Sequence, residues 1–87
     1  RGGQAVGRAL AVPPVTVGRG RVTNNVRRLR EAAAMTQAEL GLRVGATRQT
    51  IIAIEAEKYA PSLELAFKLA RTFERPVDEV FRFHEDD

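Results

Sequence analysis

The stretch TQAELGLRVGATRQTIIAIE, residues 36–55, decides the fold because it carries the start and stop signals of two helices. Thr36 and Glu39 have the T-x-x-E spacing of a capping box, in which each side chain bonds the backbone N–H of the other residue. Gly45 is placed to take the left-handed conformation that ends this first helix. Thr47 is a good N-cap for a second helix. The pattern therefore predicts two short helices joined by a tight turn.

The second of these helices has an apolar inner face and a polar start. Ile51 and Ile54 fall on one face, and the positions left pointing outward are Arg48, Gln49, Ile52 and Ala53. A short helix that is held at its back and carries polar side chains at its exposed N-terminal end can enter a DNA major groove. The alternative is an ordinary helical hairpin inside a bundle, since most such hairpins bind no nucleic acid.

Together with its flanks, this stretch resembles the Xre/Cro-type helix-turn-helix regulators, especially the small single-domain ones. The similarity runs from Asn25 to Phe81. The matching motifs are Leu29-Arg30-Glu31, Thr36-Gln37-Ala38-Glu39-Leu40, Gly45 to Ile51, Ile54-Glu55 and Pro61-Ser62-Leu63. The resemblance implies an all-α, five-helix Cro/repressor-like helix-turn-helix bundle. It is less specific for role, because such domains serve in repressors, activators and antitoxins.

The other three helices follow from caps and apolar spacing. The first is expected over Asn25–Ala34, the fourth after Ser62 to about Phe73, and the fifth over Val77–Phe81, with Pro76 fixing its start. Residues 82–87 are too short a tail to assign. The positions expected to face inward are Val26, Leu29 and Ala33 on the first helix and Ala66, Leu69, Ala70 and Phe73 on the fourth.

Residues 1–21 differ in composition from the rest of the chain. They hold four arginines, no acid, two adjacent prolines and five of the seven glycines. We interpret them as an extended or flexible basic arm, in which residues 15–17 are a candidate short strand. The arm is either upstream or added sequence, since the chain does not begin with Met, or a native segment that tracks DNA. Residues 22–87 are expected to form the helix-turn-helix DNA-binding domain.

Charge separates along that domain. Residues 22–50 carry five arginines against Glu31 and Glu39, whereas residues 51–87 carry five basic and nine acidic side chains. A positive surface is what DNA phosphates require. The helix-turn-helix half is therefore expected to face DNA and the C-terminal part to face away from it.

Composition argues against several other classes of protein. With 87 residues and no cysteine, the chain is expected to be one domain without a disulfide framework or a cysteine-based metal site, which fits a cytoplasmic location. No apolar run approaches the roughly 18 residues of a membrane helix, and no signal peptide is visible. The single histidine, His84, is interpreted as solvated. We expect no catalytic residue, metal, cofactor or small-molecule ligand, and no membrane association.

Three residues are candidates for contacts with DNA bases. Arg48 can bridge O6 and N7 of guanine, and Gln49 can bridge N6 and N7 of adenine. Ile52 either packs on a thymine methyl group or belongs to a core that is wider than the pattern suggests. A solvated helix start is the alternative reading of the Arg-Gln pair.

Contacts with phosphates are expected around these positions. The candidates are Gln37 at the first turn of the second of the five helices, Thr47 and Thr50 at the start of the third, and Lys58 and Tyr59 in the following loop. Thr50 could contact either a phosphate or a base. That loop has Ala56-Glu57 where the family usually has Asn-Gly, so Glu57 brings a negative charge and lacks the freedom of glycine. Gly41 replaces the family's usual alanine, at a cost of roughly 1 kcal/mol in helix propensity.

The family resemblance assigns structural roles to further residues. It pairs Arg30 with Glu55 across the first and third helices, which would fix the recognition helix in orientation. Because one small domain reads few base pairs, a homodimer on double-stranded DNA is expected. Its candidate surface is Leu63, Phe67, Phe81 and Phe83, although a wide apolar stripe would bury all four. The sequence thus predicts a transcriptional regulator, with an antitoxin-like protein-interaction module as the alternative.

Overall fold

Five helices and two short strands form residues 20–85, the part of the chain that the computed structural model describes. In chain order they are β1 (Gly20–Asn24), α1 (Val26–Ala32), α2 (Gln37–Val44), α3 (Arg48–Glu55), α4 (Leu63–Phe73), α5 (Val77–Val80) and β2 (Phe81–Glu85). The predicted five-helix helix-turn-helix bundle is confirmed. Most of the expected arm, including the candidate strand at residues 15–17, lies outside the described residues.

The chain is not wholly α-helical, which corrects the expected fold class. β1 and β2 pair as a two-stranded antiparallel sheet in which Val22 faces Phe83. Gly20 and Arg21, expected in the arm, belong to β1, and residues 82–85 of the unassigned tail belong to β2. The fifth helix ends at Val80, one residue early, because Phe81 is already extended with φ −124° and ψ 144°. Each strand is only five residues long, which leaves little periodicity to detect in the sequence.

Helix termini follow the caps that the sequence predicts. Thr36 Oγ1 accepts the Glu39 N–H at 3.0 Å while Glu39 Oε1 accepts the Thr36 N–H at 2.8 Å, which completes the capping box. Gly45 ends α2 with φ 73°, and Ser62 caps α4. Gly41 has a packing role, because a Cβ atom there would lie 2.7 Å from the Ala46 carbonyl oxygen in the turn.

The core lies between the five helices, where α3 and α4 pack on α2, α1 packs on α3 and α4, and α5 packs on α4. Its fully or nearly fully buried members are Val26, Leu40, Val44, Ile51, Ile54, Leu69, Ala70 and Val80. Ala33 was expected to face inward and is exposed instead, because α1 ends at Ala32 and the chain turns away at Ala34 with φ 58°. Burying Ile51 and Ile54 fixes the back of α3 against the bundle and leaves its opposite face outward.

Candidate nucleic-acid interface

The outward face of α3 begins with two exposed polar side chains. Arg48 and Gln49 occupy its first two positions, directly after the Thr47 cap. Ile52, one turn further on, is half-buried and lines a surface notch beside Arg48. The three candidate base contacts are thus brought to one side of α3, with the polar pair nearest its N-terminus.

The notch beside α3 joins three helices. It is lined by Arg27 and Arg30 of α1, by Met35, Thr36, Gln37 and Ala38 at the start of α2, and by Arg48, Ile52, Glu55 and Ala56 of α3 and its cap. The N-terminus of α2 opens into it, where the helix dipole and free N–H groups favour an anion. The notch therefore combines cationic side chains with a helix start, as a phosphate site requires.

A buried ion pair forms the floor of this notch. Arg30 Nε donates to Glu55 Oε2 at 2.6 Å and Nη2 donates to Oε1 at 3.2 Å, and the side chains are only 11% and 6% exposed. Arg30 Nη1 also donates to the Met35 carbonyl oxygen at 2.8 Å. Hydrogen bonding to Glu55 raises the pKa of the Arg30 guanidinium above its ordinary value, although burial opposes this. The Arg30 guanidinium therefore stays charged, and its bonds to Glu55 connect α1 to the last residue of α3.

Gln37 extends this network toward the surface. Its Nε2 atom donates to Glu55 Oε1 at 3.1 Å, and the side chain is half-buried. An amide nitrogen carries two hydrogens. One N–H of Gln37 is thus engaged inside the protein, and the second remains the group that can reach a phosphate.

The two threonines at the start of α3 bond to each other. Thr47 Oγ1 accepts the Thr50 N–H at 3.1 Å and lies 3.0 Å from Thr50 Oγ1. Thr47 is exposed and Thr50 is half-buried. Since one hydroxyl proton is sufficient for the bond between the two oxygens, the other remains available to an anion.

Arg27 lines the notch, although the sequence reading did not single it out. It is exposed on α1, where its Nε lies 3.2 Å from Glu31 Oε2. The available signal was its spacing, since Arg27 stands three residues before Arg30 and so shares its side of the helix.

Comparison with known proteins identifies the family to which the chain belongs. Residues 26–80 match the model of the helix-turn-helix family. This chain belongs to the Xre-type helix-turn-helix family. An uncharacterized helix-turn-helix-type transcriptional regulator of Methanothermobacter thermautotrophicus is 47% identical over 62 residues, which cover 70% of this chain and 90% of the relative.

A second sequence relative and one solved structure are also similar to this chain. An uncharacterized helix-turn-helix-type transcriptional regulator of Bacillus subtilis, YgzD, is 42% identical over 64 residues, covering 74% of this chain and 97% of YgzD. The crystal structure of the transcriptional regulator VanUg has a TM-score of 0.66 at 16% identity, covering 86% of this chain and all of VanUg. At that identity, VanUg supports the fold alone.

The loop after α3 departs from the Xre-type sequence pattern but keeps a standard helix end. Glu57 adopts φ 62° in the left-handed region and donates its N–H to the Ile54 carbonyl, while Lys58 N–H bonds the Ala53 carbonyl. These two bonds make a Schellman motif. A glutamate therefore holds a conformation that favours glycine, and it leaves Lys58 and Tyr59 exposed beside α3.

The four candidate dimer residues fall into two groups. Leu63 and Phe67, one turn apart on α4, are 69% and 51% exposed. On β2, Phe83 is 61% exposed, whereas Phe81 is half-buried and packs against the core. The structure thus excludes the alternative in which all four side chains are buried. An apolar surface of α4 and an exposed ring on the sheet remain accessible.

Nothing in the described part of the chain resembles a metal centre or a membrane segment. Across residues 20–85, no three His, Cys, Asp or Glu side chains gather as metal ligands would. None of the helices in this range has the length and apolar character to cross a bilayer. His84 is exposed, with Nε2 2.9 Å from Thr23 Oγ1 on the neighbouring strand.

Proposed function

We propose that this protein binds double-stranded DNA with sequence specificity and regulates transcription, with α3 as its recognition helix. The observation that carries the proposal is the setting of α3. Its back is buried through Ile51 and Ile54, its end is held by the Arg30–Glu55 pair, and its N-terminal turn is free. A rigid helix with exposed polar residues at its leading end is how this motif reads a major groove.

Base readout is assigned to Arg48, Gln49 and Ile52. Arg48 is exposed and long enough to donate hydrogen bonds to O6 and N7 of a guanine, and Gln49 next to it can pair with N6 and N7 of an adenine. Ile52 is half-buried in the notch beside Arg48. Its apolar side chain suits contact with a thymine methyl group rather than with the polar edge of a base. Ala53 is too small to read a base by hydrogen bonding.

Phosphate contacts are assigned to the notch, to the start of α3 and to the loop after α3. The residues are Gln37, Thr47, Thr50, Lys58 and Tyr59, with Arg27 added from the lining of the notch. Contacts of this kind fix the register of a protein on DNA and carry no sequence information directly. The notch takes one strand's backbone while α3 enters the groove beside it.

A homodimer belongs to the same proposal, with the exposed surface of α4 as its interface. Along this surface, acidic Glu64 comes first, Phe67 lies in the middle and basic Arg71 comes last. Two copies packed antiparallel about Phe67 would place Glu64 of each copy beside Arg71 of the other. Apolar contact at the centre with opposite charges at both ends is self-complementary, as a two-fold interface must be.

The exposed apolar residues also support a second candidate function. An antitoxin-like module would use Leu63, Phe67 or Phe83 to hold a different protein, since such patches mark protein interaction sites. DNA binding would then be secondary. We also propose a cytoplasmic location for this protein, because its proposed partner is DNA.

Selection of bound sequences from random duplex DNA tests the proposed function. We expect enrichment of one short motif, repeated as two half-sites about 34–36 Å apart along the duplex. A single half-site would keep the DNA-binding role and remove the dimer. Failure to enrich any sequence over the starting pool would contradict sequence-specific binding and favour the antitoxin-like alternative.

A further inference from the structure

Asn24, the last residue of β1, bonds two elements at once. Its Oδ1 atom accepts the Val26 N–H at 3.0 Å, at the start of α1. Its Nδ2 atom donates to the Ile54 carbonyl oxygen at 2.8 Å, thirty residues away in the last turn of α3. Both bonds are partly buried, where a donor left without a partner is costly. Asn24 therefore joins the sheet and α1 to the end of the recognition helix.

The carbonyl that Asn24 reaches belongs to the end cap of α3. Ile54 O also accepts the Glu57 N–H at 2.9 Å, one of the two bonds of the Schellman motif. A carbonyl oxygen has two lone pairs, so these two donors satisfy it fully. Because Glu57 holds a left-handed conformation without being glycine, this cap is strained and depends on its supporting bonds. Asn24 supplies one of them from outside the helix.

The last turn of α3 is thus held at two adjacent residues by the N-terminal part of the domain. Arg30 of α1 bonds the Glu55 side chain, and Asn24 bonds the Ile54 backbone. At 1.5 Å per residue, Arg48 stands about 9 Å from Ile54 along the axis. A tilt of about 10° at this end would move Arg48 by more than 1 Å, beyond the tolerance of a well-placed recognition site.

We propose that Asn24 is a positioning residue for DNA recognition, which sets the angle of α3 by anchoring its C-terminal turn to the β1–β2 sheet. The inference rests on the proposed role of α3 in reading DNA. It also assigns the sheet a function, because β1 is the element that presents Asn24 to α3. Asn24 itself touches no DNA in this scheme.

The neighbouring Asn25 offers a matched control. Its Nδ2 atom donates to the Glu79 carbonyl at 3.0 Å, in α5 rather than in α3. Asn24→Asp retains an acceptor for the Val26 N–H and removes the donor to Ile54, whereas Asn25→Asp removes the donor to Glu79. Both variants add one negative charge at adjacent positions, so their general electrostatic effects on DNA binding should match.

The experiment measures two properties of both variants. The first is the ratio of Kd values for a random duplex and for the duplex that the unmodified protein selects. The second is backbone amide exchange at Glu57 and Lys58 by NMR, without DNA. We expect Asn24→Asp to lose about tenfold in the Kd ratio, the scale of one specific base contact, and to exchange faster at both amides. Asn25→Asp should change neither property.

Equal losses in the two variants, or an unchanged Kd ratio in Asn24→Asp, would overturn the proposal. If Asn24→Asp does not fold, Asn24→Ser replaces it, because its hydroxyl can still accept the Val26 N–H and is too short to reach the Ile54 carbonyl. If the unmodified protein prefers no DNA sequence, the proposed function fails. Amide exchange then tests only the anchoring of α3: faster exchange confined to the Asn24 variant supports the anchor, and unchanged exchange contradicts it.

Discussion

Arg30 and Glu55 meet through two parallel hydrogen bonds, of 2.6 and 3.2 Å, in a largely buried site between α1 and α3. The desolvation penalty of burying two charges offsets most of their electrostatic attraction, so the net stabilisation from such a pair is small. Removing one partner has a larger effect, because it leaves the other charge buried alone. The pair therefore fixes the orientation of α3 more than it stabilises the fold.

Single alanine substitutions at this pair should each lower the free energy of unfolding by about 3 kcal/mol. The double variant should lose much less than the sum, because its second substitution removes the charge that the first left unpaired. Urea unfolding of the original protein, the two single variants and the double variant gives the four free energies of this double-mutant cycle. Arg27 and Glu31 provide a matched pair of the same residue types, 72% and 57% exposed, and their cycle should show no more than a few tenths of a kcal/mol. Additive losses at Arg30 and Glu55 would mean that the two side chains do not interact.

The left-handed Glu57 should be replaceable by glycine with a gain in stability. Glu57→Gly is expected to raise the free energy of unfolding by about 1 kcal/mol, because glycine takes φ 62° without steric strain. It should also tighten DNA binding by removing a carboxylate beside the proposed phosphate contacts. Urea unfolding and duplex titration measure the two effects.

Two variants separate backbone strain from charge in that prediction. Glu57→Gln removes only the charge, so it should tighten DNA binding without stabilising the fold. Glu74→Gly relieves a similar left-handed residue, φ 56°, after α4, so it should stabilise the fold without changing DNA binding. A loss of stability in Glu57→Gly would contradict the strain assigned to this loop.

Lys58 is expected to contribute affinity without specificity. Lys58→Ala should weaken the selected and random duplexes by similar factors and reduce the slope of log K against log salt by about 0.9, as the loss of one phosphate contact requires. Arg27→Ala should behave in the same way. Arg75→Ala, outside the notch, serves as the control and should leave the slope unchanged. A change in base preference in Lys58→Ala would show that Lys58 reads sequence.

The dimer is tested through Phe67. Phe67→Glu places an unpaired charge at the centre of the proposed α4 interface, so it should yield a folded monomer with much weaker binding to a two-half-site duplex. Sedimentation equilibrium measures the mass, free and on DNA. Leu42→Glu, at another exposed apolar side chain, is the control and should remain dimeric. An unmodified protein that is monomeric at high micromolar concentration in both states would exclude the dimer.

Local signals in the sequence were sufficient to predict where α2, α3 and α4 begin and where α2 ends. The caps at Thr36, Thr47 and Ser62 act over three residues, and Gly45 acts at a single backbone position. Signals of this range can be read without knowing the fold. The apolar spacing then placed Ile51 and Ile54 inward, which determines the outward face of α3.

Long-range pairing explains what the sequence did not predict. β1 and β2 come from opposite ends of the domain, with the bonded residues Thr23 and His84 separated by 61 positions, and no turn signal connects them. The bond from Asn24 to Ile54 also depends on where the fold brings two distant residues. At Glu57 the expected glycine is absent, yet the packed bundle imposes the left-handed conformation anyway.

The most direct test of the central claim is the base preference of Arg48→Ala. Measured against the selected duplex and all its single-base variants, this protein should lose about 1–3 kcal/mol on the preferred site and accept any base at one position. Arg43→Ala, an exposed arginine at the end of α2 outside the notch, should bind like the unmodified protein. If Arg48→Ala keeps both the affinity and the full base preference, α3 is not the recognition helix.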